Sequence, residues 1–231
     1  MAMQGATLPP FDAFWEQGLV SLEEYDRPVV MLEAYRRDPE AHKLNTGSGK
    51  IEIFSDRIAG FNLPDCPGHP AWMTPAEWLG NATVAYPLHM LSDQPSRRLH
   101  SQLDASPHSA SGKIQGREPI YINPVDAEAR GIMDGDVVEV FNDRGRCLSA
   151  AIISSDIMPG VVRLNTGAWF DHDWQTGVEK HGNPNALTRD AGASSLSQGC
   201  TAQTCLVDLR RAEGPVPPVT AFALPAFASV R

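Results

Sequence analysis

A mainly β fold with short helices, arranged as a compact barrel, is what this sequence predicts, and three observations carry the prediction. The chain holds 19 glycines and 19 prolines in 231 residues, which means many turns and few long helices. From about Val84 onward, strand, short helix, hairpin and strand follow in close succession, which suits a barrel better than a doubly wound sheet. Two of those strands are joined by Asn142-Asp143-Arg144-Gly145, a hairpin connection.

Taken in order, Phe11 to Val20 (FDAFWEQGLV) follows a Pro-Pro pair and reads as one short amphipathic helix with Asp12 as its cap. Leu44 to Phe54 (LNTGSGKIEIF) reads as a glycine turn leading into an alternating strand, with Ile51 and Ile53 on one face. The Pro-rich, aromatic stretch from Phe61 to Trp78 has no usable period but carries two tryptophans, so it is expected to be ordered coil packed over another part. Tyr86 to Leu91 and Pro119 to Ile122 are strands. The second leads into a helix with Asn123 as cap, Pro124 in the first turn and Gly131 as the stop. Val137 to Phe141 and Cys147 to Ile153 form the hairpin, Pro159-Gly160 turns into Val161 to Leu164, and Thr204 to Leu209 is a late strand. The Pro-rich tail after Gly214 is expected to wrap the surface. No internal repeat stands out. The expected division is residues 1–83 as an extended preceding segment and residues 84–231 as the barrel domain.

Composition narrows the function. With 28 acidic and 19 basic side chains the formal charge is −9, which argues against a nucleic-acid or anionic-membrane surface. At 42% hydrophobic and 20% charged the chain reads as folded and soluble. No apolar run is long enough for a membrane helix, and Met1 to Pro10 lacks the form of an export signal. The four cysteines include no CxxC pair, so reduced thiols acting as small hydrophobes are expected rather than disulfides or structural zinc.

Several motifs fail on inspection. Asn45 to Lys50 (NTGSGK) resembles part of a phosphate loop, but Ile51 stands where Ser or Thr is needed and the strand follows the loop instead of preceding it. Asp171-His172-Asp173 has metal-ligand types, yet adjacent residues do not converge easily on one ion. There is no GxGxxG after a strand and no nucleophile elbow. Two polar clusters remain. The loop Ser92 to Leu103 packs Gln94, Arg97, Arg98, His100, Ser101 and Gln102 together, groups that suit oxyanions and the edges of a heterocycle. The stretch from His181 to Thr204 is dense in small residues and amides, including Asn185, Gln203 and Thr204, and permits close backbone approach to a ligand. On composition alone, an Arg-rich surface loop and a long turn region read equally well.

Order and spacing separate those readings. RLHSQLD (Arg98–Asp104), EPIYINPVDAEARGIMDGDVVEVFNDRG (Glu118–Gly145), MPGVVRLNTGAW (Met158–Trp169), HGNPNALT (His181–Thr188), SLSQG (Ser195–Gly199) and AQT (Ala202–Thr204) together resemble the C-terminal end of the molybdopterin-dinucleotide oxidoreductases. Within that family the chain most resembles the dimethyl sulfoxide, trimethylamine N-oxide and biotin sulfoxide reductases. SGKIEIFSDRIAGF (Ser48–Phe61) and DCPGHPAW (Asp65–Trp72) resemble the part of those enzymes just before the cofactor domain.

The resemblance implies a six-stranded double-psi β-barrel that binds bis-molybdopterin guanine dinucleotide, whose molybdenum or tungsten is held by the complete enzyme. It implies cofactor contacts from Ser92, Gln94, Arg98, His100, Ser101, Gln102, Asn185, Gln203 and Thr204. No catalytic residue or metal ligand is carried over, because both lie in the N-terminal part of such enzymes. The chain alone is therefore expected to be inactive and to need an N-terminal part or subunit, acting together on a sulfoxide or N-oxide. The alternatives are a stand-alone dinucleotide-binding module or carrier, and a barrel repurposed for protein contacts. The expected compartment is cytoplasmic, or periplasmic if the missing part carries a twin-arginine signal.

Overall fold

The structure is a computed structural model that describes residues 8–21, 30–201 and 203–224. It divides into two compact units, Met1–Ser55 and Asp56–Arg231. In the first, α1 (Phe11–Gln17) forms as expected, but Pro10 occupies the cap position and makes no side-chain cap. Asp12 sits inside the first turn instead, where its charge complements the positive end of the helix. Phe11 and Trp15, one turn apart, stack at 5.8 Å. A second helix, α2, covers Glu33–Arg37. The strand expected at Ile51 to Phe54 is absent: this stretch is coil, with Ile51 64% and Ile53 80% exposed. Alternation specifies a strand only when a neighbour completes its backbone hydrogen bonds, and no described strand pairs there.

The second unit opens with α3 (Asp56–Ala59) and a coil ending in the 3-10 turn Leu79–Asn81. Residues 56–83, which the sequence groups with the preceding segment, thus lie in the same unit as the barrel. Their anchors are specific. Glu77 pairs with Arg144 at 2.7 Å and accepts the Leu206 amide at 2.8 Å, while Asp65 accepts the Ser195 amide at 2.7 Å.

The remaining elements are β1 (Leu88–Leu91), α4 (Pro107–Ala110), β2 (Pro119–Ile122), α5 (Pro124–Glu128), β3 (Val137–Asn142), β4 (Gly145–Ile153), β5 (Val161–Leu164), β6 (His172–Asp173), β7 (Val178–Glu179), a 3-10 turn at Pro184–Ala186, β8 (Gly192–Ser194), β9 (Ser197–Cys200) and β10 (Cys205–Arg211). Six of these strands run in the order β2-β5-β1-β10-β3-β4, and β4 returns to pair with β2. That closure makes a barrel without free edges. Two pairs, β1–β5 and β2–β4, are parallel and the rest antiparallel; the barrel is the double-psi β-barrel expected. The long strand β4 serves two neighbours along one edge, meeting β7 at Cys147 and β2 from Ala150 to Ile153.

Alternate strand positions supply the core: Leu88 and Met90, Ile120 and Ile122, Val138 and Val140, Val162 and Leu164, Val207 and Leu209. Each such burial contributes roughly 1.5–3 kcal/mol of transfer free energy. At the turns, Asn123 caps α5 by accepting the Val125 amide at 2.9 Å, and the two-residue Asp143-Arg144 turn closes the β3–β4 hairpin at the Asn142–Gly145 pair. The tail lies along the surface of this unit. Thr220 donates to Asp171 Oδ1 at 2.7 Å, and the Phe222 ring meets Trp169 and His181 edge-on at 5.3 and 5.1 Å.

Candidate functional site

Because β1 and β5 run parallel and adjacent, the loops leaving their C-terminal ends emerge on the same end of the barrel. With the segment after β7 they enclose a cleft of about 570 Å³, lined by His100, Ser101, Thr166, Gly167, Ala168, Trp169, Phe170, Asn183 and Asn185.

Each wall is held by its own backbone bonds. His100 takes φ +50°, a left-handed conformation uncommon outside glycine but one that histidine adopts more readily than most residues. Its amide donates to Gln94 Oε1 at 3.0 Å, its carbonyl accepts Arg98 Nε at 3.2 Å, and Gln94 Nε2 reaches the Arg98 carbonyl at 2.6 Å. Gly167 makes the opposite wall possible. Its φ is +91°, and a Cβ placed there would lie 1.9 Å from the His100 carbonyl oxygen, so only glycine lets the two loops close. Trp169 is fixed at three atoms: its amide donates to Asp104 Oδ2 at 2.9 Å, its indole Nε1 to the Ser101 carbonyl at 2.9 Å, and its carbonyl accepts His181 Nδ1 at 2.7 Å. Asn183 links the third wall, donating to the Ala168 carbonyl at 2.7 Å and accepting the Asn185 amide at 2.9 Å. Behind it the buried Glu179 carboxylate collects the amides of Asp171, His181, Gly182 and Asn183 at 2.7–3.0 Å.

Of the residues singled out from sequence, His100, Ser101 and Asn185 meet in the cleft. Gln102 is exposed on the same loop, its amide bonded to the Leu99 carbonyl. Ser92 and Gln203 pair with each other: the Gln203 side chain bonds both the amide (3.0 Å) and the carbonyl (2.5 Å) of Ser92. Thr204 closes a local turn onto the Thr201 carbonyl at 3.0 Å.

Arg98 differs most from expectation. It is 6% exposed, and its guanidinium bonds Glu118, the His100 carbonyl and the Thr166 carbonyl instead of projecting toward a ligand. Arg97 likewise donates to the Gly112 carbonyl at 3.2 Å. Charge at the cleft is therefore subdued, with hydroxyl, amide, imidazole and backbone groups lining it. Sequence reasoning missed Thr166, Gly167 and Trp169 as lining residues, and reached Asn183 only as part of the polar stretch that starts at His181. The signal for the first three was a glycine among small residues directly after a strand, in LNTGAW.

Burial works against ionisation of Asp104, but Lys113, the Trp169 amide and Arg98 outweigh it and hold the carboxyl below the usual carboxylate range. Burial, then the nearby Lys113 charge, push His181 below its ordinary value. The thiols of Cys147 and Cys205 are buried and their pKa values rise for that reason. Cys200 is exposed, which departs from the expectation that all four act as small hydrophobes. Among the described residues no group of three or more His, Cys, Asp or Glu is placed to hold a metal ion, and no helix is long and apolar enough to cross a membrane.

A closed barrel whose parallel strands deliver small polar loops to one hydrogen-bonding cleft is a ligand-binding domain. The family model described as the Molydopterin dinucleotide binding domain matches residues 88–206, and this chain belongs to that family. The chain is 45% identical over 207 residues to biotin sulfoxide reductase of Cereibacter sphaeroides, covering 90% of the chain and 28% of that protein. It is 44% identical over 229 residues to trimethylamine-N-oxide reductase 1 of Escherichia coli O157:H7, covering 95% of the chain and 26% of that protein. The chain thus spans about a quarter of the length of these relatives. Among solved structures, acetylene hydratase from Pelobacter acetylenicus is similar with a TM-score of 0.59 and 18% identity, over 76% of this chain and 25% of that one; this likeness is one of fold.

Proposed function

We propose that this chain is the cofactor-binding C-terminal part of a molybdenum oxidoreductase of the sulfoxide or N-oxide reductase type, and that its cleft holds part of bis-molybdopterin guanine dinucleotide. The observation that carries this reading is the meeting of His100, Ser101 and Asn185 in one polar cleft, inside the residues matched by the family model. The donor set fits the group. An imidazole, a hydroxyl and amides suit the ring edges of a pterin, which need both donors and acceptors, and Gly167 leaves the backbone free of a side chain where the two loops meet.

His100, Ser101 and Asn185 would bind and orient the rings, with Gln94 and Gln203 fixing the loop ends on which they depend. When bound, the cofactor's metal centre supplies oxygen-atom transfer from a sulfoxide or N-oxide; the chain contributes orientation and local electrostatics. The metal ligand and the substrate pocket belong to an N-terminal part or partner subunit, so the chain alone is inactive. The complete enzyme is cytoplasmic unless that part carries a twin-arginine signal.

The test is purification of the chain alone and co-expressed with an N-terminal part, followed by metal analysis and release of GMP by acid. Stoichiometric GMP and molybdenum in the complex, and neither in the chain alone, is the expected result. His100→Ala and Asn185→Ala should each cut nucleotide retention by about tenfold. Unchanged retention in both variants overturns the site, and tight dinucleotide binding by the chain alone favours the carrier reading.

A further inference from the structure

Next to the cleft, but outside its lining, four charged side chains share one buried space. Arg98 Nη1 lies 3.0 Å from Glu118 Oε2 and 3.4 Å from Asp104 Oδ1, and Lys113 Nζ lies 2.9 Å from Asp104 Oδ1 and 3.3 Å from Glu118 Oε2. None of the four side chains is more than 3% exposed. Two cations and two carboxylates balance in charge. Yet desolvating four ions is costly, and well-packed apolar residues of similar volume often stabilise a fold as well or better. Stability alone therefore does not account for the quartet.

The other bonds of the quartet do. Arg98 Nε donates to the His100 carbonyl at 3.2 Å and Nη2 to the Thr166 carbonyl at 2.7 Å, while Asp104 Oδ2 accepts the Trp169 amide at 2.9 Å. One group of charges thus grips the backbone of both facing walls. The guanidinium fork, with five N–H donors in a fixed plane, can serve a carboxylate and two carbonyls on different segments at once. The geometry assigns the Arg98–Asp104–Lys113–Glu118 quartet to a positioning role: it sets the spacing between the His100 loop and the Thr166–Trp169 turn, so that the cleft is formed before its ligand arrives. Arg98 is accordingly a positioning residue and makes no ligand contact. The assignment rests on reading the cleft as the cofactor site, and a pre-formed cleft spares the ligand the ordering of two loops.

The discriminating variant is Arg98→Lys, which keeps the charge and removes the fork. Amide hydrogen exchange on the chain alone should speed up by about tenfold at residues 100–102 and 166–169, the loss of one charge-assisted bond to each wall, with β3 and β4 unchanged. Asp104→Asn, tested in parallel in case the lysine variant does not fold, should give the same local loosening around Trp169. In the complex with an N-terminal part, either folded variant should retain about tenfold less releasable GMP than the unaltered chain. Exchange that is unaltered, or that rises uniformly through the barrel, overturns the positioning role, as does full GMP retention. If exchange loosens locally but the unaltered complex holds no GMP, the cofactor reading fails and the positioning role stands.

Discussion

The His181 imidazole is fully buried, donates from Nδ1 to the Trp169 carbonyl, and finds no partner for Nε2 among the described residues. Burial and then Lys113 lower its pKa, so the folded chain keeps the ring neutral. The unfolded ring protonates at about pH 6.5. Stability is therefore full above that pH and is lost as the pH falls toward the depressed folded value, because the unfolded state binds the proton that the folded state refuses. Thermal melts should show a Tm that is level near pH 7.5 and declines below about pH 6.5; His181→Gln should flatten that decline while lowering Tm throughout. At this scale the sequence showed which residues carry polar chemistry and not which way they point. His100 and Arg98 are two positions apart in one motif, yet one lines the cleft and the other is buried against Glu118. Direction was decided by the acidic partners Asp104 and Glu118, the second 20 residues away in sequence.

Elements were legible wherever the local chain carries its own signal. Helix α5 has its cap, its first-turn proline and its glycine stop within nine residues, Asn123 to Gly131, and forms as read. The Asn123 side chain also donates to the Ile157 carbonyl at 2.6 Å, so it ties the helix to the turn before β5. Asn123→Ala should lower the unfolding free energy by about 1–2 kcal/mol, read as a lower urea midpoint with unchanged slope. Asn123→Asp keeps the cap but turns a carboxylate oxygen toward the Ile157 carbonyl, and should cost at least as much as the alanine variant. Ile51 to Phe54 marks the limit of such reading. Its alternation matches a strand as well as β1 does, but β1 lies between β5 and β10, whereas no described strand pairs with residues 51–54.

Within the second unit, the Pro- and Trp-rich coil stays largely uncovered at Phe61 (50% exposed), Trp72 (72%) and Met73 (41%), although Glu77 and Asp65 anchor it. If an N-terminal part packs on this coil, these side chains are the ones it would cover. Hydroxyl-radical footprinting should label Trp72 and Met73 heavily in the chain alone and several-fold less in the complex with an N-terminal part; equal labelling would remove this coil from the interface. The barrel's strands and turns were legible in the chain alone, because they rest on local hydrogen bonding and on alternation that closure could complete, and the family was legible in the order and spacing of the motifs. Which polar groups form the cleft was settled only by how the chain folds. The His100 loop and the Thr166–Trp169 turn lie more than 60 residues apart in sequence, and the glycine at 167, the buried quartet of charges and the tail's Phe222 act there through contacts between distant segments.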